Sequence, residues 1–471
     1  MSIDTAARSA IKRTTDGDVA AVLPAARLRG RIRLPGDKSI SHRALLLAAL
    51  SSGESIIEGA GDGADIRSTA GLIAALGVSV ERIDETGSDR DAAGEARQTT
   101  VTYRVVSPGA DGLREPYDVV DCGNSGTTLR LSAGMVAGLP MTVVLSGDPS
   151  LRRRPVARII EPLRSMGAEL HARGNDSLPP VTVVGRTPLR AVDVTTPVPS
   201  AQVKSALLLA ALRADGRTTV RETLATRDHT ERMLRARGVV VERVPATGIG
   251  VAGVAWTLEG GAEVRATTER VPGDVSAAAF WLVAGAIHPD AQLSLENVGV
   301  NPTRRATIDL LRRMGAAIEE QGCSPDDGSS EPTADLLVTS GPLAAIEITP
   351  AETAEAIDEI PILALAATQA VGRTVIRSTG ELRHKESDRL AGIAAGLAAL
   401  GARVTIDGDD VLIDGPTPLR GGAVDSLDDH RLAMTFAIAG LVASGPVLIG
   451  RPDSAAISYP GFFAELERVR A

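Results

Sequence analysis

Apolar positions along this chain recur in two rhythms. Six segments, 39–50, 126–138, 202–212, 275–287, 359–371 and 429–442, are rich in Ala and Leu and apolar on nearly every face. A helix apolar all round is a buried helix. Each begins at a small-residue turn. Each is followed by a Gly and a β-branched run, such as Ser55-Ile56-Ile57, Thr218-Thr219-Val220 or Thr374-Val375-Ile376, which reads as a strand. Between them lie amphipathic helices, for example 156–166 and 303–314, with Arg and Glu on one face. These belong on the outside. Five times a Gly closes such a helix before an apolar run, at Gly77, Gly167, Gly238, Gly315 and Gly401, with spacings of 90, 71, 77 and 86 residues. Gly is the usual left-handed stop of a helix, and a recurrence at this period marks a repeated unit. Each unit reads strand, helix, strand, strand, helix, strand (βαββαβ).

Six such units divide as three plus three. The expected fold class is α/β, with two similar lobes hinged by two crossovers. The crossovers are placed near 35–37 and 270–273, in Pro35-Gly36-Asp37 and Pro272-Gly273-Asp274, which is turn chemistry suited to a hinge. The sixth unit ends at an outer helix, 462–469, with no strand after it, so the chain's first strand, 27–34, is expected to fill that gap. The domains are then a disordered tail at 1–22, an N-terminal lobe at 36–270, and a C-terminal lobe of 23–35 plus 271–471. The tail is polar, of mixed charge and without an apolar stretch, unlike a signal peptide. The polar stretches 84–99 and 323–334 read as surface loops.

Composition narrows the function. The 471 residues are 44% hydrophobic and 23% charged, ordinary for a globular protein with more than one core. No apolar run approaches the roughly 18 residues of a membrane span. The reading is a cytoplasmic protein. Two cysteines, Cys122 and Cys323, exclude a disulfide framework and a Cys-rich zinc site, and the six histidines form no ligand pair, so no metal site is expected. A net charge of −9 and nine aromatic residues argue against nucleic acid as a partner. Of 50 basic residues only four are lysines: Lys12 in the tail, and Lys38, Lys204 and Lys385 in the motifs below. Lysine can deprotonate where arginine cannot.

The chemistry gathers at the starts of the six apolar helices: Lys38-Ser39 with His42-Arg43, Asn124-Ser125-Gly126-Thr127, Ser200-Ala201-Gln202, Asp274, Asp358-Glu359 and Asp429-His430-Arg431. Helix N-termini bind phosphate or carboxylate through free N–H groups, and Ser, Asn and Asp there also serve as plain caps. Pro35-Gly36-Asp37-Lys38-Ser39 lacks P-loop spacing. Gly248-Ile249-Gly250-Val251-Ala252-Gly253 matches a dinucleotide fingerprint but precedes a strand, so it reads as a turn. The charged run Leu382-Arg383-His384-Lys385-Glu386-Ser387-Asp388-Arg389 reads as a cationic clamp with a proton-transfer carboxylate, or as a solvated helix start. Arg152-Arg153-Arg154-Pro155 aims cations at a helix N-terminus. Asp358, beside cations and opening an apolar helix, is a candidate general base or a simple cap. Cys122 reads as a buried structural thiol.

Four blocks together, 34–47, 123–130, 382–390 and Asp428-Asp429-His430-Arg431-Leu432-Ala433-Met434, closely resemble the 3-phosphoshikimate 1-carboxyvinyltransferases, the enolpyruvylshikimate-phosphate synthase family. The resemblance runs from about 28 to 463. It implies two lobes of three repeats each, an inside-out α/β barrel, closing on substrate. It also implies transfer of the enolpyruvyl group of phosphoenolpyruvate to the 5-hydroxyl of shikimate 3-phosphate, without cofactor or metal, in a monomer, as a step of aromatic amino-acid biosynthesis and a target of glyphosate. Carried over by position, Asp358, Glu386 and Lys38 are the catalytic residues. The shikimate 3-phosphate contacts are Lys38, Ser39, Arg43, Ser200, Ala201, Gln202, Arg227, Asp358 and Lys385. The phosphoenolpyruvate contacts are Lys38, Asn124, Gly126, Arg154, Gln202, Arg389 and Arg431. Lys204 receives no role. Two positions depart from the family pattern: Ile457 stands where many members carry a lysine, and Glu381 where some have Asn. Two alternatives remain. One is the related transferase acting on UDP-N-acetylglucosamine, which has Lys-Asn where this chain has Lys38-Ser39, and a loop cysteine not found here. The other is a non-catalytic anion-binding protein on the same fold.

Overall fold

A computed structural model describes residues 11–13, 19–84, 100–245 and 253–470. Contacts divide the chain into two units. One is Gly36–Pro272 with Pro325–Glu331; the other is Met1–Pro35, Gly273–Ser324 and Pro332–Ala471. The continuous unit carries three apolar helices, α1 (Lys38–Leu50), α2 (Gly126–Ala137) and α3 (Ala201–Ala211). The discontinuous unit carries α4 (Val275–Ile287), α5 (Ile360–Gln369) and α6 (His430–Val442). In the discontinuous unit the three pack on one another, and in the continuous unit α2 packs against both α1 and α3. Their all-round apolar sequences explain this, since no face of α4, VSAAAFWLVAGAI, is suited to water. At one contact the backbones touch. A Cβ on Gly134 of α2 would lie 2.2 Å from the Ala206 carbonyl oxygen of α3, so only glycine fits.

Each unit surrounds its helices with three four-stranded mixed sheets. In the continuous unit the orders are Thr268–Arg270, Ser52–Gly61, Thr100–Pro108, Ser79–Asp84; Val120–Asp121, Thr142–Ser146, Leu178–Val184, Glu169–Ala172; and Asp193–Thr195, Arg217–Glu222, Val254–Glu259, Val241–Pro245. In every sheet the first pair is parallel and the other two antiparallel. A parallel pair needs a crossover, and α2 and α3 supply it for the second and third of these sheets, while the first takes Thr268–Arg270 from the far end of the unit. The other unit repeats this plan. The five repeat glycines all have positive φ, from 82° to 99°, as a left-handed helix stop requires.

Three expectations are corrected. The order within a repeat is strand, helix, strand, helix, strand, strand, as in Asp193–Thr195, α3, Arg217–Glu222, His229–Ala236, Val241–Pro245, Val254–Glu259. The opening strands are as short as two residues (Val120–Asp121, Glu347–Ile348) and leave no period-two signal. Next, the strand Leu28–Arg33 does not complete the sixth unit; it pairs in parallel with Ala291–Gly299 of the fourth. Lastly, the segment 1–22 is not wholly a tail. Residues 1–10 and 14–18 lie outside those described, but Val19–Val22 pairs with Val447–Gly450 and with Ile11–Arg13, and so supplies the sixth unit's missing strands. Ala20 and Val22 are buried there; four small residues become a strand because an edge is waiting for them. The expected loop at 84–99 and turn at 248–253 fall almost wholly outside the described residues. No described helix is long and apolar enough to cross a membrane.

Candidate active site

In the continuous unit, functional side chains cluster at the N-termini of α1, α2 and α3. Asp37 caps α1, accepting from Ile40 N at 2.9 Å. That leaves Lys38 half-buried and ion-paired with Asp65. Ser125 caps α2, accepting from Thr128 N at 3.0 Å, which turns Gly126 into the first helical residue. Ser200 opens α3 without using its side chain as a cap. Gln202 is fixed at both ends of its amide: Arg130 Nη1 donates to Oε1 at 2.8 Å and Nε2 donates to Thr127 Oγ1 at 3.0 Å. Asn124 is fixed likewise, donating to Asp148 Oδ2 at 2.7 Å and accepting from Arg154 Nη2 at 2.5 Å. Arg154 with Asn124, and Arg130 with Gln202, are thus two bonded pairs on either side of Gly126.

Arg43 lies deeper, 4% exposed. It donates to Ser39 O at 2.9 Å, Thr230 Oγ1 at 2.8 Å and Ser205 Oγ at 2.8 Å. Burial lowers its pKa to about 10, against the pull of Glu231 and Asp37. His42 donates or accepts at Thr69 Oγ1, 2.7 Å away, and burial pushes it down to about 3, so the ring is neutral. Cys122 is buried and its thiol is pushed up to about 12 by burial, then by Asp121, which suits packing and not nucleophilic attack.

In the discontinuous unit the centre is Arg389, 1% exposed. Its guanidinium meets three carboxylates: Asp429 Oδ2 at 2.7 Å, Glu386 Oε2 at 2.5 Å and Asp358 Oδ1 at 3.5 Å. Burial works against this charge, but Glu386, Asp429 and Asp358 raise its pKa above that of an ordinary arginine. Burial likewise opposes the charge on Asp429, and Arg389 overrides it, holding that carboxyl below its usual value. Asp429 also caps α6, accepting from Arg431 N at 2.9 Å. Lys385 Nζ lies 3.4 Å from Asp358 and 3.4 Å from Glu381. The departure at Glu381 is therefore neutralised by a lysine four residues on. Arg431 Nη1 lies 3.3 Å from Glu359, which also accepts from Ser276 and faces Arg304 Nη1 at 3.6 Å. Ile457 ends a short 3-10 turn, Pro452–Ile457.

In the continuous unit Lys38, Ser39, Arg43, Asn124, Gly126, Ser200, Ala201 and Gln202 lie on or just before the three helices, with Arg154 after the 3-10 turn Leu151–Arg153 and Arg227 on the loop before the helix His229–Ala236. In the other unit Asp358, Lys385, Glu386 and Arg389 form one ion-paired cluster, and Arg431 pairs separately with Glu359. Arg130, Asp65, Glu359 and Asp429 carry no assignment from their sequence, yet they hold the assigned residues. Their common signal is a charge inside an otherwise apolar pattern, where burial must be offset by a partner.

Cation-lined helix starts on a repeated mixed α/β frame, with carboxylates held against a buried arginine, define an enzyme that handles small anions. The family model described as EPSP synthase (3-phosphoshikimate 1-carboxyvinyltransferase) matches residues 22–466. The 3-phosphoshikimate 1-carboxyvinyltransferase of Gloeobacter violaceus is 49% identical over 455 residues, covering 96% of this chain and 99% of its own. That of Bacillus thuringiensis is 44% identical, covering 94% and 97%. The structure of EPSP synthase from Acinetobacter baumannii superposes with a TM-score of 0.81 at 38% identity, covering 96% of this chain and 98% of its own. The chain belongs to the EPSP synthase family and is a transferase of the shikimate pathway to the aromatic amino acids.

Proposed function

We propose that this chain moves the enolpyruvyl group of phosphoenolpyruvate onto the 5-hydroxyl of shikimate 3-phosphate and releases inorganic phosphate. The observation that best supports the residue roles is the Arg389 cluster, which holds two carboxylates, Asp358 and Glu386, on one guanidinium beside Lys385. The reaction needs such a pair. The hydroxyl must lose a proton as its oxygen bonds to the enol carbon, and the methylene carbon must gain one. The double bond is restored when that carbon gives a proton back and the phosphate leaves. Asp358 accepts the hydroxyl proton. Glu386 exchanges the proton at the methylene carbon, and Lys38 is the second group assigned to that exchange.

Both substrates are anions, and cations do the binding. Shikimate 3-phosphate is assigned to Lys38, Ser39, Arg43, Ser200, Ala201, Gln202, Arg227, Asp358 and Lys385. Phosphoenolpyruvate is assigned to Lys38, Asn124, Gly126, Arg154, Gln202, Arg389 and Arg431. The uncapped start of α3 supports part of this, because the Ser200 hydroxyl is not spent on its own helix. A monomer in the cytoplasm, where phosphorylated metabolites are retained, belongs to the same reading; gel filtration checks the first point. The main test is direct. Purified protein with both substrates should release one phosphate per phosphoenolpyruvate consumed. Release with UDP-N-acetylglucosamine as acceptor and none with shikimate 3-phosphate would replace this reading with the alternative transferase.

A further inference from the structure

Lys204 is one of four lysines in the chain, and it is wholly buried on α3. Its Nζ lies 2.9 Å from Glu222 Oε2 and 2.8 Å from Glu231 Oε1, and donates to the Thr226 carbonyl at 3.2 Å. The face of Trp256 covers it, 5.6 Å from ring centroid to Nζ. Glu222 ends the strand Arg217–Glu222, and Glu231 sits in the first turn of the helix His229–Ala236. One ammonium therefore joins both ends of the loop 223–228 and, through Thr226, its middle. The Thr226 hydroxyl donates to Glu222 and closes the staple. Arg227 is the next residue. The adjoining residues, Ser205 and Thr230, bond to each other at 2.7 Å, and both accept from Arg43 at 2.8 Å.

A buried ion cluster is poor value as a source of stability, since apolar side chains of the same volume do as well or better. Its retention points to geometry. Burial opposes the charge on Lys204, but Glu231 and Glu222 keep the ammonium protonated. Burial pushes Glu231 up, and Lys204 opposes that shift.

We propose that Lys204 is a positioning residue for the phosphate of shikimate 3-phosphate: it fixes the loop that carries Arg227 and the hydroxyl pair that orients Arg43. This rests on the assignment of those two arginines to that substrate. Lys204 itself touches no substrate.

The test compares Lys204→Met with Arg227→Gln in the full chain, by steady-state kinetics for each substrate and by calorimetric binding of shikimate 3-phosphate alone. For Lys204→Met the KM and Kd for shikimate 3-phosphate should rise about ten- to a hundredfold, the range for loss of a charge-assisted contact. The KM for phosphoenolpyruvate should stay within about twofold, as expected for a site whose own contacts are untouched. A purely structural lysine would instead lower the melting temperature and leave that split absent. If Lys204→Met does not fold, the triple variant Lys204→Met, Glu222→Gln, Glu231→Gln removes every charge of the cluster, and the same rise is expected of it. A folded variant with unchanged shikimate 3-phosphate affinity, while Arg227→Gln binds weakly, overturns the proposal and leaves the function intact. Unchanged binding in Arg227→Gln overturns the underlying assignment, and the proposal with it.

Discussion

Asp358 stands 3.4 Å from the Lys385 ammonium and 3.5 Å from the Arg389 guanidinium, a carboxylate between two cations. Replacing it by Asn keeps the shape and leaves those cations with less compensating charge. Affinity for the anionic substrates should be kept, while turnover falls about 10²- to 10⁴-fold, the usual weight of a general base. Calorimetry on the variant together with its kcat decides it; near-normal kcat removes Asp358 from the reaction. A second prediction concerns pH. His42 is lowered from 6.5 to about 3 and His430 to about 4, in both cases chiefly by burial. Between the unfolded and folded values the unfolded chain binds the extra protons, so stability is intact above about pH 6.5 and is lost as pH falls. The slope is about 1.4 kcal/mol per pH unit for each histidine. Urea midpoints at pH 7 and 5.5 should show this fall, and His42→Asn should shed its share. At this scale Lys38, Asp358 and Arg389 stand out in the sequence as charges beside apolar helix starts. Their pairings, Lys38 with Asp65 and Arg389 with Asp429, do not, because only the folded chain says which distant charge each one meets.

The elements that matter most are the starts of the six central helices. Side-chain caps explain four of them, through Asp37, Ser125, Asp274 and Asp429, but not the starts at Ser200 and Glu359. Gly126 sits at the first position of α2. A Cβ there would come 2.7 Å from Arg130 Nη1 and 3.7 Å from Arg154 Nη1. The obstacle is the end of a flexible side chain, so the fold tolerates Gly126→Ala, and helix propensity favours it by up to about 1 kcal/mol. Arg130 must then move, and it is the residue that fixes Gln202 and the Pro155 carbonyl. The variant should keep its melting temperature, raise the KM for phosphoenolpyruvate several-fold, raise that for shikimate 3-phosphate less, since Arg154 is assigned to phosphoenolpyruvate alone and only Gln202 is shared, and tolerate more glyphosate. Equal effects on both substrates would disconnect Arg130 from the phosphoenolpyruvate contacts. The central helices are legible because each runs ten to thirteen residues dominated by Ala, Leu and Ile, which have few other destinations than a core. The strands are less so. Two-residue strands such as Val120–Asp121 carry no period, and their place in a repeat is set by what they pair with.

On the scale of the chain, the repeats are interleaved. Leu28–Arg33 precedes α1 but belongs to the fourth repeat, and Thr268–Arg270 precedes α4 but belongs to the first. The last repeat takes its final two strands from Val19–Val22 and Ile11–Arg13. No local pattern could disclose these pairings, since the residues that meet, such as Leu28 and Ala291, are far apart in sequence. The rhythm of glycine and helix is local and therefore visible; the exchange of strands is not. It has a consequence for dissection. A fragment 273–471 lacks Val22, Leu28, Ile32 and Leu34, all buried in that unit's core. At about 1.5–3 kcal/mol for each buried side chain, the loss is on the order of 10 kcal/mol, comparable to the whole stability of a domain. The fragment should be insoluble or molten. The Arg470 guanidinium donates to the Pro24 carbonyl at 2.9 Å, and Leu28 forms an isolated bridge with Arg470, so the two ends of this unit are neighbours. A permuted chain, 273–471 joined by a short Gly/Ser linker to 11–35, should therefore recover a cooperative melt and native-like circular dichroism. A cooperative melt from 273–471 alone would mean that the N-terminal strands decorate this unit without completing its core.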